Sequence, residues 1–167
     1  PCKAEHILQE VMAELAPLAA EHQVEIQLAV TNQLTLLADR YFLCRALIYL
    51  VHNAIQFSPQ GSRVLLTTAF ASADIFPASH IARLAPNGGL ITVQDSGIGI
   101  PEEYLEKIFQ PFLQVDTSDS RSHQGLGLEL AICRQIIQRH GGSIWAESTL
   151  GEGSTFYIAL PLVRDTL

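Results

Sequence analysis

The amino-acid sequence predicts an α/β sandwich: a mixed sheet of about five strands with three main helices on one face. Three observations predict it. Several segments repeat apolar residues at spacings of three and four, the helical period, while shorter ones alternate apolar and polar residues, the period of half-buried strands. Helical and strand-like segments are interleaved along the chain rather than grouped. Hydrophobic residues make up 48% of the 167 and charged residues 16%, enough apolar surface for a core and too little charge for a disordered chain.

The elements follow in order. Residues 5–21 form a helix with Ile7, Leu8, Val11, Leu15 and Leu18 on one side. Val24, Ile26, Leu28 and Val30 alternate with Glu25, Gln27 and Ala29 as a strand, and a second strand follows around 34–38. Asp39 is placed to N-cap a helix over 40–57, which Pro59 and Gly61 close. On this helix Leu43, Ala46, Leu47, Leu50, Val51 and Ala54 make an apolar stripe. Opposite them lie Arg45, Tyr49, His52, Asn53 and Gln56, a polar stripe that by itself reads as a solvated outer face. Strands at 63–70 and 90–94 flank residues 71–89, a segment too long for an ordinary hairpin. We read it as a disordered insertion, with a docking surface as the alternative. Pro101 opens a short helix to Phe109. Residues 110–124 are polar and read as a mobile loop. A helix over 128–140 ends at Gly141-Gly142. Strands at 143–148 and 155–162 are joined by Leu150-Gly151-Glu152-Gly153, a hairpin signal.

The length fits one domain over 1–167. The chain begins with Pro1 and has no initiator Met or signal-peptide pattern, so it reads as an excised piece of a longer protein. A net charge of −7 argues against a nucleic-acid partner, which would need clustered Lys and Arg. No apolar run is long enough to span a bilayer, so no membrane contact is expected. Three cysteines, Cys2, Cys44 and Cys133, show no CxxC spacing and read as reduced packing residues of a cytoplasmic domain.

Two glycine clusters carry candidate chemistry. Asp95-Ser96-Gly97-Ile98-Gly99-Ile100-Pro101 follows a strand, and Gln124-Gly125-Leu126-Gly127-Leu128 precedes a helix, where backbone N–H groups can meet an anion. Either alone is weak. The dinucleotide fingerprint fails, because Glu102 and Leu130 occupy the places of its third glycine. There is no Gly-Lys-Ser or Gly-Lys-Thr P-loop, no HExxH among the six histidines, and no GxSxG.

The order of motifs is more specific: HNAIQFSP at 52–59, DSGIGIP, FQPF, a polar loop, QGLGLELA and GEGSTF. From about residue 5 to 162 this set resembles the ATP-binding catalytic domain of sensor histidine kinases, in the superfamily that includes gyrase, Hsp90 and MutL. The resemblance implies the Bergerat-type ATP-binding fold, with ATP and Mg²⁺ as ligands. It makes Asn53 the Mg²⁺ ligand, a role that suits a hard amide oxygen. Asp95 falls at the residue that accepts from the exocyclic amine of adenine; guanine would oppose acceptor to acceptor at a cost of about 1–3 kcal/mol. Gly97, Gly99 and Ile100 would let backbone approach the base. Phe109 and Phe112 match the phenylalanine box, ordinary core packing being the alternative. Residues 110–126 would be the lid over the triphosphate. Gly125, Leu126, Gly127 and Leu128 match the second glycine box. Thr155 matches a position that reaches adenine, often through water, the alternative being a plain strand hydroxyl.

The chain also departs from the family pattern. Tyr49 stands where the family usually has Asn, and Gln56 where it usually has Lys; both positions bear on catalysis. His123 and Gln124 replace a more usual Gly and Thr or Ser, and Arg121 is the basic residue of the lid. His6 is followed by Ile7 and lacks the acidic neighbour and nearby Pro of a phosphoacceptor, so the acceptor helical domain is absent from this sequence. The resemblance thus implies a kinase half whose partners are a dimeric phosphoacceptor domain of the same protein and a response-regulator receiver domain. A degenerate nucleotide-binding or docking module and an anti-sigma-type serine kinase are the alternatives.

Overall fold

The computed structural model describes residues 1–72, 87–113 and 127–163. Strand β1 (Cys2–Lys3) leads into α1 (Ala4–His22), β2 (Glu25–Val30), β3 (Thr35–Leu36) and α2 (Arg40–Phe57). After these come β4 (Arg63–Phe70), β5 (Gly89–Asp95), two 3-10 turns (Glu102–Tyr104 and Lys107–Phe109), α3 (Glu129–Arg139), β6 (Ser143–Thr149) and β7 (Gly153–Leu160). The main sheet has the order β2-β4-β5-β7-β6. Only β2 and β4 run parallel, and α2 lies in the crossover that a parallel pair requires. The expected two-layer sandwich is therefore observed. Sequence reading did not anticipate β1, which pairs with β3 as a separate two-stranded ribbon.

Helix α2 is the centre of the core. The Asp39 carboxylate accepts from the backbone of Tyr41 at 2.9 Å and Phe42 at 3.2 Å, satisfying two of the N–H groups a helix start leaves open. Leu43, Leu47, Leu50, Val51 and Ile55 are buried between the sheet and the flanking helices α1 and α3. The sheet answers with alternate residues: Val64 and Leu66, Ile91 and Val93, Phe156 and Ile158, and Ile144 and Ala146. Its other face carries a smaller apolar group of Leu90, Trp145 and Ala159, where Tyr157 stacks on Trp145 at 5.3 Å.

Two boundaries differ from expectation in ways that matter for the site. Residues 101–109 form two 3-10 turns instead of one helix, with bonds from Tyr104 N–H to the Pro101 carbonyl and from Gln110 N–H to that of Lys107. The interrupted turns lower Ile108 and Phe109 into the core while Glu102 and Glu103 stay exposed. Strand β7 starts at Gly153 rather than at residue 155, so the hairpin loop is Leu150–Glu152. Most of the predicted insertion, residues 73–86, lies outside the described residues.

Candidate functional site

Asp95 ends β5 and is 8% exposed. Its Oδ1 accepts from the N–H of Gly97 at 2.8 Å and of Ser154 at 3.3 Å. Oδ2 has no hydrogen-bond partner among the described residues. Burial pushes the carboxyl above the ordinary aspartate range, and the two backbone donors pull the other way. The result is a desolvated acceptor with one oxygen committed and one open, suited to a ligand that brings an N–H donor.

The glycines after Asp95 are required by close approach. A Cβ at Gly97 would lie 2.7 Å from the carbonyl oxygen of Phe57, the last residue of α2, and 2.9 Å from Asp95 Oδ1. Gly99 has φ +78, and a Cβ there would run into the carbonyl of Thr149. The turn is therefore held between the end of α2 and the β6–β7 hairpin. The hairpin grips it with two hydrogen bonds: Gly151 N–H to the Ile98 carbonyl at 2.9 Å, and Ile100 N–H to Ser148 Oγ at 2.7 Å.

This contact sets the C-terminal end of α2 against the turn. Asn53 is one helical turn before Phe57, and Arg45, Tyr49, His52, Asn53 and Gln56 are all half-buried. A plain solvated face would expose them more. The side chains of Asn53 and Gln56 make no hydrogen bonds among the described residues. Tyr49 differs from them. Its ring packs against the core, its hydroxyl accepts from Arg45 at 3.3 Å, and the Arg45 guanidinium sits 5.4 Å from the ring centroid.

The phenylalanine pair divides. Phe109 is buried, meets Phe156 edge-on at 6.2 Å, and carries the Arg134 guanidinium 5.6 Å from its ring. Phe112 is 73% exposed with φ +66, and its N–H donates to the Gly127 carbonyl at 3.0 Å. Gly127 has φ +69, and a Cβ there would lie 2.9 Å from the Leu113 carbonyl, so these two stretches of backbone are pressed together. Leu128 is half-buried at the start of α3 and its carbonyl takes the Ile132 N–H. Arg121, Gly125 and Leu126, with most of the predicted lid, lie outside the described residues.

One predicted site residue, Thr155, lies on the opposite face of the sheet from Asp95. Asp95 pairs with Ser154 across β5 and β7, and Ser154 with Ser148 across β7 and β6, a row on the helix-covered face. Thr155 belongs to the neighbouring row, with Gln94 and Glu147, on the opposite face. Its side chain is thus on the other face from Asp95, and Ser154 is the residue beside Asp95. Ser148 and Ser154 were missed by sequence reasoning. The signal available was the Gly-x-Gly-Ser run: Gly153 has φ +125, and a Cβ there would strike the Asp95 carbonyl, which seats Ser154 beside Asp95.

Residues 38–164 match the family model described as histidine kinase-, DNA gyrase B-, and HSP90-like ATPase. The adaptive-response sensory kinase SasA of Synechococcus elongatus is 31% identical over 164 residues, covering 98% of this chain and 38% of its own length. The sensor protein GacS of Pseudomonas syringae is 38% identical over 166 residues, covering 98% of this chain and 17% of its own. The chain thus spans well under half of the curated relatives it matches. Among solved structures, full-length ShkA in complex with AMPPNP superposes with a TM-score of 0.79 at 28% identity, over the whole of this chain and 32% of that one.

Proposed function

The chain belongs to the histidine kinase-, DNA gyrase B- and HSP90-like ATPase family and is an ATPase-type catalytic domain, and we propose that it binds Mg·ATP at the Asp95 turn. In the longer protein it would deliver the γ-phosphoryl group to a histidine on a separate dimeric helical domain, from which the group passes to an aspartate of a response regulator. The P–O bond to the β-phosphate breaks and a P–N bond to imidazole forms, with ADP as the leaving group. Of the named relatives, SasA is a sensory kinase and GacS a sensor protein, which favours this over a serine kinase or a docking module. The same reading puts the domain on the cytoplasmic side; among the described residues no helix is long and apolar enough to cross a membrane.

The observation that carries the reading is the open Oδ2 of a buried carboxylate whose other oxygen is held by two backbone donors. Adenine offers an amine donor to it, whereas guanine offers an acceptor. Asn53, half-buried and with no side-chain hydrogen bond among the described residues, would hold Mg²⁺ through its amide oxygen, where the ion would offset triphosphate charge. Gly97 and Gly99 let the turn that carries the Gly97 N–H to Asp95 pack against α2 and the hairpin, while Gly127 and Leu128 would place backbone at the start of α3 for phosphate. The family's phosphoryl chemistry then rests on positioning and charge neutralisation.

Calorimetric titration of the chain with ADP and GDP in Mg²⁺ tests this. ADP is expected to bind at least about tenfold more tightly than GDP, and Asp95→Asn to remove most of that preference. Equal affinities in the unsubstituted chain would take the adenine role from Asp95.

A further inference from the structure

We propose that Ser148 is a positioning residue for base recognition, acting through Asp95; the proposal rests on the nucleotide reading of the Asp95 turn. Ser148 lies on β6, half-buried, two residues across the register from Asp95. Its hydroxyl makes three hydrogen bonds at once: it donates to the Gly153 carbonyl at 2.8 Å, shares one with Ser154 Oγ at 2.8 Å, and accepts from Ile100 N–H at 2.7 Å. A hydroxyl has one proton and two lone pairs. With its proton on Gly153, Ser148 accepts from Ser154 as well as from Ile100, and its capacity is used in full.

These three partners are the parts that hold Asp95. Ile100 closes the turn that begins at Asp95, and the same turn carries Gly97, whose N–H binds Oδ1. Ser154 supplies the second N–H on Oδ1, at the longer distance of 3.3 Å. Gly153 is wedged against the Asp95 carbonyl. One side chain therefore tensions both donors that commit Oδ1, and so determines which oxygen is left for a ligand. Without that hydroxyl, the Ile100 N–H, the Gly153 carbonyl and the Ser154 hydroxyl all lose a partner together. Relaxation of either the turn or the hairpin then loosens the weaker Ser154 bond first. The carboxylate becomes free to rotate, and its preference for a donor at one fixed place is blurred.

The test uses a matched pair, Ser148→Thr and Ser148→Val, which differ by a hydroxyl against a methyl and suit a strand equally. Ser148→Ala is the third variant. Each is titrated with ADP and with GDP in Mg²⁺, and melted alone to check folding. The expected result is that Thr keeps ADP affinity within about threefold of the unsubstituted chain. Val and Ala should lose about tenfold for ADP and much less for GDP, so that discrimination collapses. Discrimination is the readout that mere destabilisation would not move, because it would weaken both nucleotides alike. The proposal is overturned if Val and Ala keep the ADP preference, if Thr fails as badly as Val, or if all three variants are unfolded. If the unsubstituted chain binds ADP and GDP equally, the nucleotide reading itself falls and this one with it. Loss confined to Val and Ala, with the unsubstituted chain selective, supports both.

Discussion

The backbone N–H of Ser154 on β7 donates across the sheet to Oδ1 of Asp95 on β5, the oxygen that also takes the Gly97 N–H. A carboxylate so arranged has one oxygen on which a proton can settle. Burial raises the pKa of Asp95, so it protonates above the range of an exposed aspartate, about 3.9.

Two pH effects of opposite sign follow. As pH falls through the raised pKa, Oδ2 gains a proton and ceases to accept, so ADP affinity should fall while that of Asp95→Asn stays flat. Stability runs the other way. A carboxyl whose folded pKa lies above its unfolded value contributes stability below the unfolded pKa that is lost as pH rises through the folded one. Asp95→Asn should therefore melt higher than the unsubstituted chain at neutral pH, with the gap closing toward pH 4. Paired calorimetric and thermal titrations check both; a gap that widens on acidification contradicts the assignment.

Gly97→Ala should cut ADP affinity at least about tenfold, since the added Cβ meets the rigid Phe57 carbonyl and the site carboxylate together. Gly141→Ala is the control. Its φ of +72 costs strain of about 1–2 kcal/mol, but nothing surrounds the new Cβ, so affinity should hold while the melting temperature drops. Equal affinity loss in both variants would show that global stability, not the Asp95 turn, governs binding.

All three thiols are buried and unpaired. Burial raises the pKa of Cys2 and Cys44 and pushes that of Cys133 up to about 12, so little thiolate exists at pH 8. A disulfide-exchange dye should titrate no fast thiol in the native chain and three after denaturation. One rapid equivalent in the folded state would contradict this burial.

Tyr49→Phe should leave ADP affinity within about twofold, because the hydroxyl binds Arg45 and the ring rests on the core. Tyr49→Asn removes ring packing worth about 1–2 kcal/mol and should lower the melting temperature by about 3–6 °C. In single-turnover phosphotransfer by the longer protein, a gain in rate from Tyr49→Asn would show that the family amide acts on the reacting phosphate despite that packing. A tenfold loss of ADP affinity in Tyr49→Phe would place the phenol at the ligand instead.

What the sequence by itself determined is what local physics decides. The Asp39 cap and the breaker pair after residue 57 bound α2 as read, and the strand expected at 63–70 is β4. The order of motifs was enough to name the family and to single out Asp95 and its glycines. Tertiary structure decided whatever depends on pairing between distant strands. The register of β7 against β5 chose Ser154 over Thr155, because a shift of one residue moves a strand side chain to the other face. Residues 101–109, expected as one helix, form two 3-10 turns that place Ile108 and Phe109 in the core, a packing that only the fold shows. Tyr49, on the polar stripe by its spacing, also rests its ring against the core, which only the packed structure shows. Ser148 carried no signal of its own. Two of its hydrogen bonds form within the β6–β7 hairpin, and the third, to Ile100 48 positions away, arises only once the hairpin closes against the Asp95 turn.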